Sequence, residues 1–167
     1  MNTKTKKLVM AAVMAALTCV ATMMITIPSP LKGYLNLGDC LVLLSGWMLS
    51  PVYGFLAAGI GSALADLFYG YIIYAPATFL IKGLMALIAC FGFRLLGKKC
   101  NHLISRVVSG AAAEILMILG YFVYEGFLYG FAASAVNIPA NGVQGIAGLV
   151  IGIVLMKTME RSKILVN

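Results

Sequence analysis

Long apolar runs, each broken by a short polar or Pro/Gly-bearing segment, dominate the pattern along this chain. The first run, Leu8 to Ile27, follows Lys4, Lys6 and Lys7 and ends at Pro28 and Pro30. A loop from Pro28 to Asp39 leads into a short apolar stretch, Cys40 to Ser50, which Pro51 interrupts before a second stretch, Val52 to Tyr69. A loop at Gly70 to Ala75, a run from Pro76 to about Leu96, and the basic segment Gly97 to Arg106 follow. The last two runs are about Val107 to Glu125 and Ile138 to Met156. A helix needs roughly 20 apolar residues to cross a bilayer, which leaves room for about six crossings and little else. The pattern predicts an all-α membrane protein, one domain over residues 1–167 with six transmembrane helices.

Charge fixes the expected orientation. With six spans, Lys4, Lys6, Lys7, Arg94, Lys98, Lys99, Arg106, Lys157, Arg161 and Lys163 collect on one side, and Lys32 alone falls in a loop on the other. Cytoplasmic loops carry the Lys/Arg excess, so both the N and C termini are expected in the cytoplasm. Fusing the stretches around Pro51 into one bent span would carry Lys98 and Lys99 outside, so Pro51 is read as a tight inner turn. The first run is too long for a secretory signal core of about 7 to 15 residues and is expected to be retained. With 62% hydrophobic and 10% charged residues, the chain lies outside the soluble range, and lipid is its solvent. The net charge of +7 then reports orientation and needs no nucleic acid.

Polar residues inside such spans are rare and usually face a bundle interior or cavity. Here they gather in the outer half. Asp39 opens the second span, Asp66 lies one turn below the outer end of the third, and Lys82 sits below the outer end of the fourth. Glu125 closes the fifth. Asn137, Asn141 and Gln144 follow i, i+4, i+7 spacing and share one helical face. Glu114, Tyr121 and Glu125 share another, with Glu114 near mid-membrane. Lys82 and Asp66 read equally as an ion pair between adjacent spans or as ligand contacts. Tyr34, Tyr69, Tyr71, Tyr74, Tyr121, Tyr124 and Tyr129 also belong to this half. Most are expected to form an interfacial aromatic belt, with Tyr121 and Tyr124 placed to stack on a flat ligand.

Several chemistries are excluded by the same reading. Cys19, Cys40, Cys90 and Cys100 have no CxxC spacing, and His102 is a lone histidine in a cytoplasmic segment, so no metal site is expected. No Walker A motif is present, so ATP, if used, is hydrolysed by a partner. Glu114 and Glu125 lie roughly 16 Å apart along one helix, too far for paired carboxylate catalysis. No enzyme and no bound cofactor are expected.

The stretches Leu35-Asn36-Leu37-Gly38-Asp39, Gly61-Ser62-Ala63-Leu64-Ala65-Asp66, Tyr74 to Gly83 and Asn137 to Gly145 resemble the S components of energy-coupling factor (ECF) transporters, in particular the riboflavin-type family. The resemblance covers nearly the whole chain. It implies a six-helix, multi-pass protein of a prokaryotic plasma membrane that captures a water-soluble vitamin from outside. It also implies as partners a T component and two ABC ATPases. Under this reading Asn141, Gln144, Lys82, Asn137, Glu125 and Tyr121 are the candidate substrate-binding residues. A pyridine- or pyrimidine-type vitamin is the first expectation, and riboflavin the second.

The first span contains two overlapping small-xxx-small spacings, Ala11/Ala15 and Ala12/Ala16. Small residues four apart let another helix backbone approach closely. The resemblance implies that one of these pairs meets the T component. The outer loop Pro28 to Gly38 exceeds the length of a simple helix connection and is expected to act as a lid. An ion-coupled carrier working alone or as a dimer, and a membrane assembly subunit without transport, are the alternative classes.

Overall fold

The computed structural model describes residues 3–29 and 33–162; Pro30, Lys32 and Lys163 lie outside the described residues. The chain runs α1 (Thr3–Met24), β1 (Thr26–Pro28), β2 (Tyr34–Asn36), α2 (Gly38–Met48), α3 (Pro51–Phe68), α4 (Ala75–Leu96), α5 (His102–Tyr129) and α6 (Phe131–Ser134). A 3₁₀ turn (Ala135–Asn137) and α7 (Ile138–Arg161) complete it. Proline stands in the first turn of α3, α4 and α7, where its missing N–H costs nothing and its fixed φ suits the helix.

Five segments are long and apolar enough to cross a membrane: Lys4–Met24, Pro51–Phe68, Ala75–Leu96, His102–Tyr129 and Phe131–Arg161. The stretch expected to be the second of six spans is different. α2 has 11 residues, about 16 Å at 1.5 Å per residue, roughly half of a 30 Å hydrocarbon layer. It is also the innermost element, packed against α1, α3, α4 and α7. Val42, Leu43, Leu44 and Trp47 meet Met85, Ala86 and Ala89 of α4 and Ala113 and Met117 of α5 in the buried core. The expected break at Pro51 is present, with Leu49 and Ser50 alone joining α2 to α3.

Other boundaries differ from the sequence expectation: α5 runs on past Glu125 to Tyr129 and α7 past Met156 to Arg161. The basic segment expected to run as a loop to Arg106 is helical from His102, because the Asn101 side chain accepts a hydrogen bond from the Ile104 N–H at 2.8 Å and starts α5 early. The loop expected between Pro28 and Asp39 folds as an antiparallel hairpin pairing Thr26 with Asn36, Ile27 with Leu35 and Pro28 with Tyr34. Its three-residue strands are too short to show an alternating pattern, and a proline at an edge breaks no ladder bond.

Helices approach closely where side chains are small. A Cβ at Gly61 would overlap the Ala15 carbonyl across the α1–α3 contact, and one at Gly46 the Ala86 carbonyl across α2–α4. The bundle's outside is apolar, with Leu8, Val20, Phe68, Ile72, Phe127 and Ile146 exposed, as a lipid-facing surface requires. At one end lie the start of α1 with Lys4, Lys6 and Lys7, the end of α4 with Arg94, Lys98 and Lys99 beyond it, the start of α5, and the end of α7 with Lys157 and Arg161. There Arg106 forks onto Glu160 at 3.1 and 2.5 Å, tying α5 to α7, and lies over the Phe93 ring at 5.1 Å. The hairpin lies at the opposite end.

Candidate binding site

A half-length α2 leaves open space above its N-terminus, at the end of the bundle away from the basic residues. α1, α3, α4, α5, α7 and the hairpin surround a cavity there of about 520 Å³, open mouth included. Asn141, Gln144, Lys82, Asn137, Glu125 and Tyr121, the six residues singled out by sequence, all line it.

The floor is a polar network around Asp39, which is fully buried in the first turn of α2, where the helix's positive end favours a carboxylate. Lys82 of α4 pairs with Asp39 Oδ1, and Gln144 Nε2 donates to Oδ2 at 2.7 Å. Gln144 Oε1 accepts the Asn36 N–H of β2 at 2.9 Å. One amide thus joins α7, α2 and the hairpin. Of the two readings left open for Lys82 and Asp66, the ion pair between them is not formed; Lys82 pairs with Asp39 instead, since α2 inserts its first turn beside Lys82. Lys82 also lies 5.6 Å from the centre of the Tyr121 ring, and the Tyr121 hydroxyl donates to Thr78 Oγ1 at 3.1 Å.

Above the floor, Asn137 Nδ2 donates to both Glu125 oxygens at 3.0 and 2.9 Å, and Tyr74 donates to Glu125 Oε1 at 3.4 Å. Asn141, half-buried on the same face of α7, makes no side-chain hydrogen bond among the described residues. Of the three α7-face amides, Asn141 alone keeps its full hydrogen-bonding capacity toward the cavity.

The opposite wall carries Asp66, which the sequence left equally as an ion-pair partner or a ligand contact, and Ser62, which sequence reasoning did not single out. Ser62 and Asp66 stand one turn apart on α3, both buried and both lining the cavity. The Tyr34 hydroxyl donates to Asp66 Oδ1 at 2.7 Å. Asp66 Oδ2 and Ser62 Oγ have no hydrogen-bond partner among the described residues. The signal was available: a serine and an aspartate at i, i+4 in an apolar helix mark a polar face. Burial first, and then the Asp66 carboxylate, hold the Tyr34 hydroxyl protonated well above the ordinary tyrosine range, so it stays a donor.

The tyrosines only partly form the expected belt. Tyr34 packs on Tyr69 and Tyr71 with ring centres 5.5 and 5.2 Å apart, Tyr71 on Tyr74 at 6.2 Å and Tyr74 on Tyr124 at 5.7 Å. This chain of ring contacts forms an aromatic rim on the cavity, with its Tyr34, Tyr71 and Tyr74, and Tyr121 besides, in the lining. Tyr124 does not line the cavity; its hydroxyl donates to the Ile73 carbonyl. Glu114 does not line it either. It is buried against Gly145 and Gly148 of α7, and neither carboxylate oxygen has a hydrogen-bond partner among the described residues.

The two alanine pairs of α1 separate cleanly. Ala11 is buried and the Ala15 backbone is covered by Gly61, so that pair is already used within the chain. Ala12 and Ala16 face outward and are exposed.

Chemically, the site offers donors, acceptors and ring faces at fixed positions. No His, Cys, Asp and Glu grouping among the described residues could hold a metal. The arrangement suits capture of a flat polar molecule.

Residues 2–161 match the family described as ECF-type riboflavin transporter, S component. The chain is 31% identical over 170 residues to the thiamine precursor transporter HmpT of Lactococcus lactis subsp. cremoris (strain MG1363), covering 98% of this chain and 93% of HmpT. It is 35% identical over 134 residues to a Pyrococcus woesei protein described as "Uncharacterized protein in gap 3'region", covering 80% of this chain and 87% of that one. A solved S component of a bacterial ECF transporter superposes with a TM-score of 0.72 at 22% identity, over 95% of this chain and 97% of that one. The S component for biotin from an ECF-type ABC transporter superposes with a TM-score of 0.62 at 21% identity, over 94% and 95%. At such identities the two structures establish the fold.

Proposed function

Since the chain belongs to the ECF-type riboflavin transporter S component family, we propose that it is the substrate-binding subunit of an ECF-type importer and takes a water-soluble heteroaromatic vitamin into the cavity above α2. The observation that carries this reading is the cavity itself: polar side chains from five helices and a hairpin converge on one space inside a bundle whose outside is apolar. A vitamin leaving water needs its hydrogen bonds returned by a few fixed groups, and Asn141, Asp66 and Ser62 have capacity to spare. A single-ring thiamine precursor, pyridoxine-like or hydroxymethylpyrimidine-like, is favoured by the relationship to HmpT; riboflavin comes second.

In the bilayer the chain crosses six times, counting the half-length α2 as one crossing, with both ends in the cytoplasm and the cavity open to the outside. The collection of basic residues at the end away from the cavity supports this orientation. Ala12 and Ala16, exposed on α1, form the face that meets a T component. Two ABC ATPases supply the energy, since the sequence carries no Walker A motif.

The test uses purified protein. Mass spectrometry of the co-purifying small molecule identifies the vitamin, calorimetry measures its binding without any gradient, and reconstitution with partners and ATP measures uptake. Tight binding with uptake only in the full complex supports the proposal. Gradient-driven uptake by the isolated chain refutes it and favours an ion-coupled carrier, the reading for which the unpartnered Glu114 speaks.

A further inference from the structure

We propose that Ser62 and Asp66 recognise an exocyclic amino group, so that the ligand is an amino-substituted nitrogen heteroaromatic ring carrying no negative charge. The inference rests on the cavity being the vitamin site and adds which chemical group is read there.

Asp66 is 6% and Ser62 2% exposed, both line the cavity, and each leaves an oxygen without a hydrogen-bond partner among the described residues. Buried polar atoms are left unpaired at a cost, and orphans on a cavity wall point to a ligand that completes them. The Asp66 carboxylate is already held in place on its other oxygen by Tyr34, with Thr78 close by. Oδ2 is therefore an acceptor held in position and without a partner among the described residues. Ser62 lies one turn away on the same face of α3, and its hydroxyl oxygen is a second acceptor. An amino group carries two N–H donors and can serve both oxygens at once. A hydroxyl carries one, and a methyl group none.

Charge points the same way. Among the described residues, Lys82 is the one cation lining the cavity, and its charge is taken up by Asp39 beneath it. Asp66 and Glu125 are met by neutral donors, Tyr34 for the first and Asn137 with Tyr74 for the second. Among the described residues the lining therefore has an excess of acceptors and carboxylates. A ligand rich in N–H groups gains there, while a phosphate ester or carboxylate meets like charge in a poorly screened site.

The experiment compares ligands by calorimetry on the full chain in detergent, stripped of bound small molecules. The probes are 4-amino-5-hydroxymethyl-2-methylpyrimidine, its analogue with methyl in place of the amino group, its phosphate ester, pyridoxine and riboflavin. The amino probe is expected to bind at least roughly tenfold more tightly than the isosteric methyl analogue, the usual scale for a hydrogen bond to a charged group. The phosphate ester is expected to bind more weakly still. Asp66→Asn should shrink the amino-over-methyl preference severalfold, and Ser62→Ala should shrink it less. Equal binding of the two isosteres, tight binding of the phosphate ester, or a preference that survives Asp66→Asn overturns the inference. The isostere comparison needs no variant, so a poorly folding Asp66→Asn does not remove the test. If pyridoxine or riboflavin binds and the amino probe does not, the amino-group assignment fails while the vitamin site stands. Binding of none of the five removes both.

Discussion

Replacing Asn141 and Gln144 separately with leucine should split two properties that one helix face combines. In the folded chain Gln144 spans the network, donating to Asp39 at 2.7 Å and accepting from Asn36 at 2.9 Å. Leucine removes both bonds, one to a carboxylate worth about 1.5–3 kcal/mol and one between neutral groups worth about 0.5–1.5 kcal/mol. Lys82 still compensates Asp39, so the lower end, about 2 kcal/mol, is expected. That corresponds to a melting temperature lower by roughly 4–8 °C for a chain of this size. Asn141 has no such bond to lose. Its substitution should move stability by no more than about 0.5 kcal/mol, as at other positions without partners. A ligand group that loses its amide partner, however, costs about 1–3 kcal/mol of binding, a Kd weaker by roughly 5- to 150-fold. Thermal unfolding of the ligand-free protein and calorimetric titration of the identified vitamin, on the same preparations, measure both. Unchanged affinity in Asn141→Leu would remove it from the site. An unchanged melting temperature in Gln144→Leu would show that the network around Asp39 contributes nothing.

Lys82→Met should be among the most damaging single substitutions, since it strands a fully buried Asp39; breaking such pairs costs about 3–5 kcal/mol, and Asp39→Asn on top of it should restore much of the loss in a melting experiment. Ala12→Trp with Ala16→Trp should abolish uptake in cells that contain the partners while leaving vitamin affinity of the isolated chain nearly unchanged. Wild-type uptake by that variant would refute the docking face. A cross-link between the Thr26–Asn36 hairpin and the outer end of α7 should slow both arrival and departure of the vitamin in stopped-flow binding, because Tyr34 closes on Asp66 from that hairpin. Unchanged rates would remove the lid role.

Much of this architecture was legible along the chain, because lipid imposes a simple rule: apolar residues in runs long enough to cross, polar residues only where something receives them. The runs read to Ile27, Tyr69, Leu96, Glu125 and Met156, found as helices ending at Met24, Phe68, Leu96, Tyr129 and Arg161, the break at Pro51 and the gathering of Asn137, Asn141, Gln144, Lys82, Glu125 and Tyr121 toward one end follow from that rule. Helical spacing put residues on shared faces, and a face is a local property. Which polar groups meet each other is not local. Asp39 and Lys82 lie 43 positions apart and Asp39 and Gln144 105, and no spacing rule connects them. The sequence suggested Asp66 for Lys82 because their spans are consecutive; the short α2, packed at the centre, brought Asp39 there instead. The hairpin was hidden for a related reason, since three-residue strands leave no periodic trace and Tyr34 meets Asp66 across 32 positions of chain. The choice between the alanine pairs was likewise left open by the chain, for both have the same spacing, and only packing decided that Ala11 and Ala15 turn inward. Composition and periodicity determined the solvent, the class and the depth of the polar residues, because each depends on a residue and its near neighbours. The tertiary structure alone decided which of them are satisfied and which, like Asp66 Oδ2, Ser62 Oγ and the Asn141 amide, are left without a hydrogen-bond partner among the described residues, because satisfaction depends on distances between segments far apart in the chain.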